Sequence, residues 1–128
     1  MNNRNATARI LDAINRVNAI GLNVTVPVKG MRGTSVLRLP SGGWAMKYHS
    51  TFVAAFGGGC APYVDITSGG YYTATTARRI NQALAAAGRI GWRVNRTGGY
   101  YVIRTPTLDL AFTDEVMIDS GGKLAHAH

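Results

Sequence analysis

The stretch YYTATTARRINQALAAAGRIGWRVNRTGGYYVIR, residues 71–104, changes its period half-way along. In its first part Ala77, Ile80, Ala83, Leu84 and Ala87 recur at helical spacing, with threonines in front and Gly88 behind. That pattern predicts a helix from about Thr76 to Ala87. Beyond Trp92 the apolar residues alternate instead, around Gly98-Gly99, as in a hairpin of two antiparallel strands. A helix that feeds adjacent antiparallel strands belongs to an α+β fold, not to the strict strand–helix alternation of a parallel sheet.

The flanks agree. Ile10, Ile14 and Val17, widened by Leu11 and Ala13, form one face of a first helix over about Ala6–Ala19 that Gly21 ends. Short strands are expected near Val24–Val28 and Ser35–Leu39. The run WAMKYHSTFVAAF, residues 44–56, alternates throughout, with Trp44, Met46, Tyr48, Phe52 and Phe56 on one face and Lys47, His49, Thr51 and Val53 on the other. It reads as one long half-buried strand bent near Ser50. Tyr63–Thr67 follows as a strand, and Leu108–Phe112 with Val116–Ile118 completes the sheet. Residues 120–128 read as a frayed tail. The expectation is a single domain over 1–128: a mostly antiparallel sheet with two helices packed on one face.

Four glycine doublets follow Ser or Thr, at Ser41, Ser68, Thr97 and Ser120, and three of them lead straight into aromatic or strand-forming residues. Their spacings of 27, 29 and 23 residues, with different content between, mark turns and not a repeat. Hydrophobic residues make up 46% of the 128-residue chain and charged ones 16%, which is the composition of a globular domain and not of a disordered one. No apolar run reaches the ~20 residues that span a bilayer. The beginning MNNRNATARI has no hydrophobic core of a signal peptide, and Cys60 has no second cysteine to pair with. Both point to the cytoplasm and away from a membrane partner.

Charge is the strongest global signal. Met1–Arg104 holds thirteen Lys or Arg against Asp12 and Asp65, a balance of +11, whereas Thr105–His128 sets Lys123 against four acids, a balance of −3. Eleven of the fourteen cations are arginine, the side chain whose planar fork suits phosphate and carboxylate. The partner classes are therefore nucleic acid, a nucleoprotein, or an acidic protein surface.

Two places concentrate that charge. If Gly98-Gly99 is a two-residue turn, Arg93 pairs with Arg104, Val94 with Ile103, Asn95 with Val102, Arg96 with Tyr101 and Thr97 with Tyr100. Val94, Ile103 and Trp92 then face the core, and Arg93, Arg104, Asn95, Thr97 and Tyr100 face outward. Two arginines opposite one another repel, and a bound anion would relieve them. A longer loop would shift the register and separate them. The second place is the start of the helix. With Thr75 as cap, Arg78 falls in the first turn, where cations are unfavourable by ~0.3–1 kcal/mol each. Arg78 and Arg79 would be acceptable there beside a bound anion held by free amides, or beside Asp65 or an acid of the last strands. Arg78, Gln82 and Arg89 line the helix's solvent face, with Arg79 beside them.

Catalysis has less behind it. His49, Cys60 and Asp65 form the one candidate nucleophile–base set, and such chemistry needs them within hydrogen-bond reach. His126 and His128 fall short of a metal site's three or four ligands. Neither GxxxxGK[ST] nor GxGxxG is present. No cofactor and no metal are expected.

The run Tyr72, Thr73, Thr75, Thr76, Arg78, Ile80, Asn81, Leu84, within residues 48–84, resembles a family of small uncharacterised tailed-phage proteins. Those chains carry a Tyr-x-Ser/Thr-x-Thr-Thr-x-Arg-x-x-Asn pattern where a helix opens; Arg79 stands where they often have His. The resemblance implies a phage accessory protein, with counter-defence roles such as inhibition of CRISPR machinery among them. INQALAAAGRIGWRVNRTGGYYVIRTP is similar to HicA-type mRNA-cleaving toxins of double-stranded-RNA-binding-like fold. Tyr100 occupies the place of their catalytic histidine, so the likeness extends to RNA binding and not to cleavage.

The expected function is binding without catalysis, to nucleic acid or a nucleoprotein, through Arg78, Arg79, Arg93, Arg96 and Arg104. Tyr100 or Tyr101 would stack, and Lys47 and His49 would extend the patch. The alternative is a protein-directed inhibitor that docks on an acidic host protein.

Overall fold

The computed structural model describes residues 3–59, 62–70, 73–119 and 121–127. Cys60, Tyr72, Ser120 and His128, singled out above, lie outside them. In chain order the elements are α1 (Asn3–Ile20), β1 (Thr25–Pro27), β2 (Thr34–Arg38), β3 (Trp44–Tyr48), β4 (Thr51–Phe56), β5 (Val64–Thr67), α2 (Ala74–Ala86), β6 (Arg93–Thr97), β7 (Tyr100–Arg104), β8 (Asp109–Phe112), β9 (Glu115–Ile118) and β10 (Leu124–Ala127). The fold is α+β with antiparallel pairing throughout the described strands.

The strands divide into two sheets. Seven run in the order β1-β2-β3-β4-β5-β9-β10, and three in the order β6-β7-β8. On the larger sheet, Val26, Val36, Met46, Ala54, Ile66 and Val116 pair successively across six strands. All six are at most 4% exposed, so this row is the floor of the core. Onto it α1 sets Ala6, Ile10, Ala13 and Val17, each wholly buried and spaced by three or four residues. Gly21, at φ +122°, then stops the helix with its amide on Val17 O. Residues of both helices and both sheets meet in one cluster of buried side chains.

Three expectations are corrected. Residues 44–56 form a hairpin, not a bent strand. His49 and Ser50 make its turn, and His49 takes a left-handed φ of 54°, which histidine tolerates better than most residues. The alternation also breaks inside β4. Met46 pairs with Ala54 but Lys47 with Phe52, which leaves Val53 as an extra residue. The two-residue turn flips the faces, since Tyr48 and Thr51 pair directly, and this puts Phe52 beside Lys47 on the outer face. The bulge then restores the parity, so Phe56 stays on the face of Trp44 and Met46. Val53 is buried and Phe52 is 41% exposed, the opposite of the simple reading. Finally, the expected frayed tail pairs as β10 along β9, with a register shift between Leu124 and His126.

Candidate nucleic-acid interface

Position decides the chemistry of α2. Thr73, not Thr75, is its cap: φ −99°, ψ 155°, with its Oγ1 accepting the Thr76 amide at 3.1 Å. Arg78 is then the fifth helical residue, past the first turn in which the helix field acts. The conflict posed by the sequence is thereby removed without an anion at the helix start.

Arg78 instead faces β6. Asn81, one turn further on, donates from Nδ2 to Val94 O at 2.8 Å and accepts the Val94 amide on Oδ1 at 2.7 Å. This two-way bond covers the free edge of β6 and fixes its distance from α2. Between them lies a cleft of about 320 Å³ walled by Ala74, Ala77, Arg78 and Asn81 on the helix and by Arg93, Val94, Asn95 and Arg96 on the strand. A second cleft of about 230 Å³ continues it, sharing Asn81 and Arg93 and adding Ala85, Arg89, Ile90, Gly91 and Trp92. The Arg89 guanidinium lies over the Trp92 ring, 5.1 Å from its centroid. Four arginines thus enter one continuous groove, and none of the described residues lining it is acidic.

The hairpin register is the one the two-residue turn requires, with Arg93 opposite Arg104 and Thr97 opposite Tyr100. The repulsion is answered on the far side: Arg104 pairs across β7–β8 with Asp109, Nε to Oδ2 3.4 Å, both well exposed. Arg93 donates to Asn95 Oδ1 at 3.1 Å. Tyr100 is 40% exposed on the outer face of the three-stranded sheet.

Four expected site residues lie elsewhere or serve another purpose. Tyr101 is wholly buried against Phe112, ring centroids 5.8 Å apart, because it shares strand parity with Ile103. Arg79 leans the other way from Arg78. Its Nε donates to Thr34 Oγ1 at 3.0 Å, and a terminal nitrogen donates to Gln82 Oε1 at 2.8 Å. It stands 5.8 Å from the Tyr48 ring centroid. Burial lowers its pKa below the ordinary arginine value, with Tyr48 opposing that shift and Arg78 adding to it. Gln82 is correspondingly 1% exposed, not a solvent-face residue. Lys47 lies on the sheet face away from the core, 5.6 Å from the Phe52 ring centroid. His49 is held at the β3–β4 turn. Its amide donates to Gly33 O at 2.8 Å, and its ring stands 4.2 Å from that of Tyr48 and so close over Gly33 that a Cβ there would collide.

Among the described residues Asp65 forms no ion pair with an arginine either. It lies on the outer face of β5, and the neighbouring Glu115 on β9 is its partner. Burial above all, then the hydrogen bond to Glu115 and that residue's charge, raise the Asp65 pKa from 3.8 to about 7. Its Oδ1 is buried without a hydrogen-bond partner among the described residues. Asp65 pairs with Ala55, four residues along β4 from the hairpin turn, a separation of ~13 Å from His49 at strand rise. The two do not meet as acid and base. No group of three or more metal-ligating side chains occurs among the described residues.

The sequence reading missed Arg89, Trp92 and Asn81 as groove residues. Trp92 packs partly buried against the core, as its strand parity predicts, and lines the cleft as well; the stripe 74, 77–78, 81, 85 on α2 was the available signal for the groove. The chain matches no protein-family model, no curated protein and no solved structure. No helix among the described residues is long and apolar enough to cross a membrane.

Proposed function

We propose that this protein is a non-enzymatic accessory protein, of the kind tailed phages carry, that binds nucleic acid or a nucleoprotein through the groove between α2 and β6. The observation that carries the reading is the convergence of Arg78, Arg89, Arg93 and Arg96 on one groove with no acidic lining residue. Like charges gathered without carboxylates are mutually unfavourable, and a polyanion offsets that cost while releasing its own counterions. Tyr100 and Arg104 lie beside the groove's strand wall as secondary contacts.

Gel shifts with single- and double-stranded DNA and RNA at 50 and 200 mM salt test the reading. Four engaged phosphates predict a roughly 50- to 150-fold loss of affinity between those salt concentrations. The double reversal Arg78→Glu, Arg93→Glu is expected to abolish the shift at both. Binding that persists in that variant, or no binding to any of the four probes at 50 mM, overturns the proposal.

One observation favours a second reading. Ile90, at the groove's end, is 91% exposed, an apolar side chain that a phosphate backbone does not need and a protein partner would cover. A protein-directed inhibitor of a host defence system predicts no gel shift. It predicts instead a stable complex with an acidic host protein, lost on the same charge reversal and weakened by Ile90→Ser.

A further inference from the structure

The groove's two halves differ. One cleft is lined by Arg78, Arg93 and Arg96 with the amides of Asn81 and Asn95, and the other holds an arginine laid over a tryptophan ring. We propose that its occupant is a single-stranded nucleic acid, with the sugar–phosphate backbone along Arg78, Arg93 and Arg96 and a base stacked at Arg89–Trp92. The inference rests on the nucleic-acid reading above and adds which form of it is bound.

Three features select a single strand over a duplex. The first is what α2 can present. A duplex-reading helix ~10–12 Å across must enter a major groove ~12 Å wide, so most of its circumference has to be free. Here α1, β3, β4 and β6 all pack against α2, and of its thirteen residues only Ala74, Arg78 and Ala85 are exposed. That strip is the wall of the groove itself. The helix therefore cannot lead its arginines into a duplex.

The second is the hairpin β6–β7. A two-stranded ribbon can also read a major groove, but this one is paired to β8 and buries Val94, Tyr101 and Ile103 against the core. The third is the stacking site. A base paired inside a duplex offers its neighbours only an edge, whereas a splayed base offers a face. Guanidinium planes and indole rings are the protein surfaces that receive such a face. The clefts hold about 320 and 230 Å³ and run the length of α2 from Ala74 to Ala85, ~16 Å by helical rise. That is room for a strand and not for a duplex.

The chain has two tryptophans, so Trp44→Phe leaves Trp92 as the reporter. Trp44 packs on Phe56 in the larger sheet, ring centroids 4.7 Å apart, and does not line the groove. Fluorescence anisotropy with a 12-nucleotide oligo(dT), a 12-nucleotide oligo(rU) and a 12-base-pair duplex, each labelled with fluorescein, gives affinities. Unlabelled copies titrated into the Trp44→Phe protein give the quench of Trp92. Trp92→Phe in the native background is the complementary variant, in which the quench should disappear.

One or both single strands should bind at least tenfold more tightly than the duplex and quench Trp92. The DNA and RNA arms tell which strand is preferred. A duplex bound as tightly as either strand, or tighter, overturns the single-strand inference while leaving the broader nucleic-acid reading standing. Single strands that bind without changing Trp92 emission overturn it too, since the strand then runs elsewhere. Failure of all three probes to bind overturns both readings.

Discussion

On the side of α2 turned toward β2 and β3, the Arg79 guanidinium meets Thr34, Gln82 and the ring of Tyr48; on the side turned toward β6, Arg78 joins Arg89, Arg93 and Arg96 in a groove lined by no acid. The two arginines are adjacent in sequence and identical in charge. What separates them is a 100° step around a helix, which places one over the core's polar edge and the other at its open margin. The same division holds elsewhere. Arg9 donates to Lys29 O at 3.0 Å, and Arg16 donates to both Asp12 and Pro27 O, so these cations tie the loops around β1 onto α1. A basic composition therefore overstates the binding surface. The informative arginines are those gathered on one groove whose described lining residues include no acid.

Substitution can break this contrast most visibly at α2. Arg79→Ala removes two charge-assisted hydrogen bonds and leaves the nearly buried Gln82 without its partner. The expected loss of stability is about 2–4 kcal/mol, read as a lower urea midpoint at unchanged m-value. Nucleic-acid affinity of the protein that remains folded should change less than threefold. Arg78→Ala should do the reverse: stability within about 0.5 kcal/mol of the native chain and a clear loss of affinity in anisotropy. If Arg79→Ala loses binding and keeps its stability, the division between the two sides of α2 is wrong.

A second contrast sets this groove, crowded with cations, against the outer face of the larger sheet, where Asp65 and Glu115 crowd two carboxyls together. A carboxyl whose pKa rises from 3.8 to about 7 on folding holds a proton in the folded chain that the unfolded chain has already lost. Its contribution to stability is therefore fully present below about pH 4, falls as pH rises toward 7, and is level above that. Asp65→Asn should flatten this part of the profile and make the variant the more stable protein at pH 8. Urea midpoints of the native chain and the variant at pH 5, 6.5 and 8 check it. A native chain that gains stability from pH 5 to 8, with the variant following it in parallel, would place the proton elsewhere.

How much of this was legible in the sequence follows from the range of each signal. Helix and hairpin came from local period, and the register of β6–β7 from the turn chemistry of Gly98-Gly99, all of which act over a few residues. The hairpin at His49-Ser50 was hidden because it lacks the Gly or Asn that marks a two-residue turn. The parity flip at the turn is also cancelled by the extra residue Val53, so that Trp44, Met46 and Phe56 still share a face as they would in an unbroken strand. The bulge at Val53 has no local marker in the sequence; it is visible only in the pairing of β4 with β3. The joining of β9 and β10 to the larger sheet is non-local pairing, on which local periodicity is silent. For the site, Arg78, Arg93 and Arg96 were selected as cations and were brought together. Arg79, Tyr101, Lys47 and His49 were selected on the same grounds. Strand parity alone was enough to remove Tyr101. Shifting the helix cap from Thr75 to Thr73 took Arg78 out of the first turn, and with it the argument for a bound anion there.

The smallest effect is expected at the three-stranded sheet's outer face, where Arg104 separates Arg93 from Asp109 in one cross-strand row. The pair Arg104–Asp109 is some two-thirds exposed on both sides, 63% and 66%, so solvent screens it and removing it costs at most about 0.5 kcal/mol. Its effect on binding has a sign that tests the groove. Asp109→Asn frees Arg104 to act on the same face as Arg93, which should strengthen nucleic-acid binding two- to threefold at 50 mM salt and steepen its salt dependence. Arg104→Gln should weaken binding by a similar factor while easing the opposition to Arg93. If Asp109→Asn leaves both affinity and salt slope untouched, the bound strand does not extend past β6. The interface is then confined to the groove, and Tyr100 drops out with Arg104.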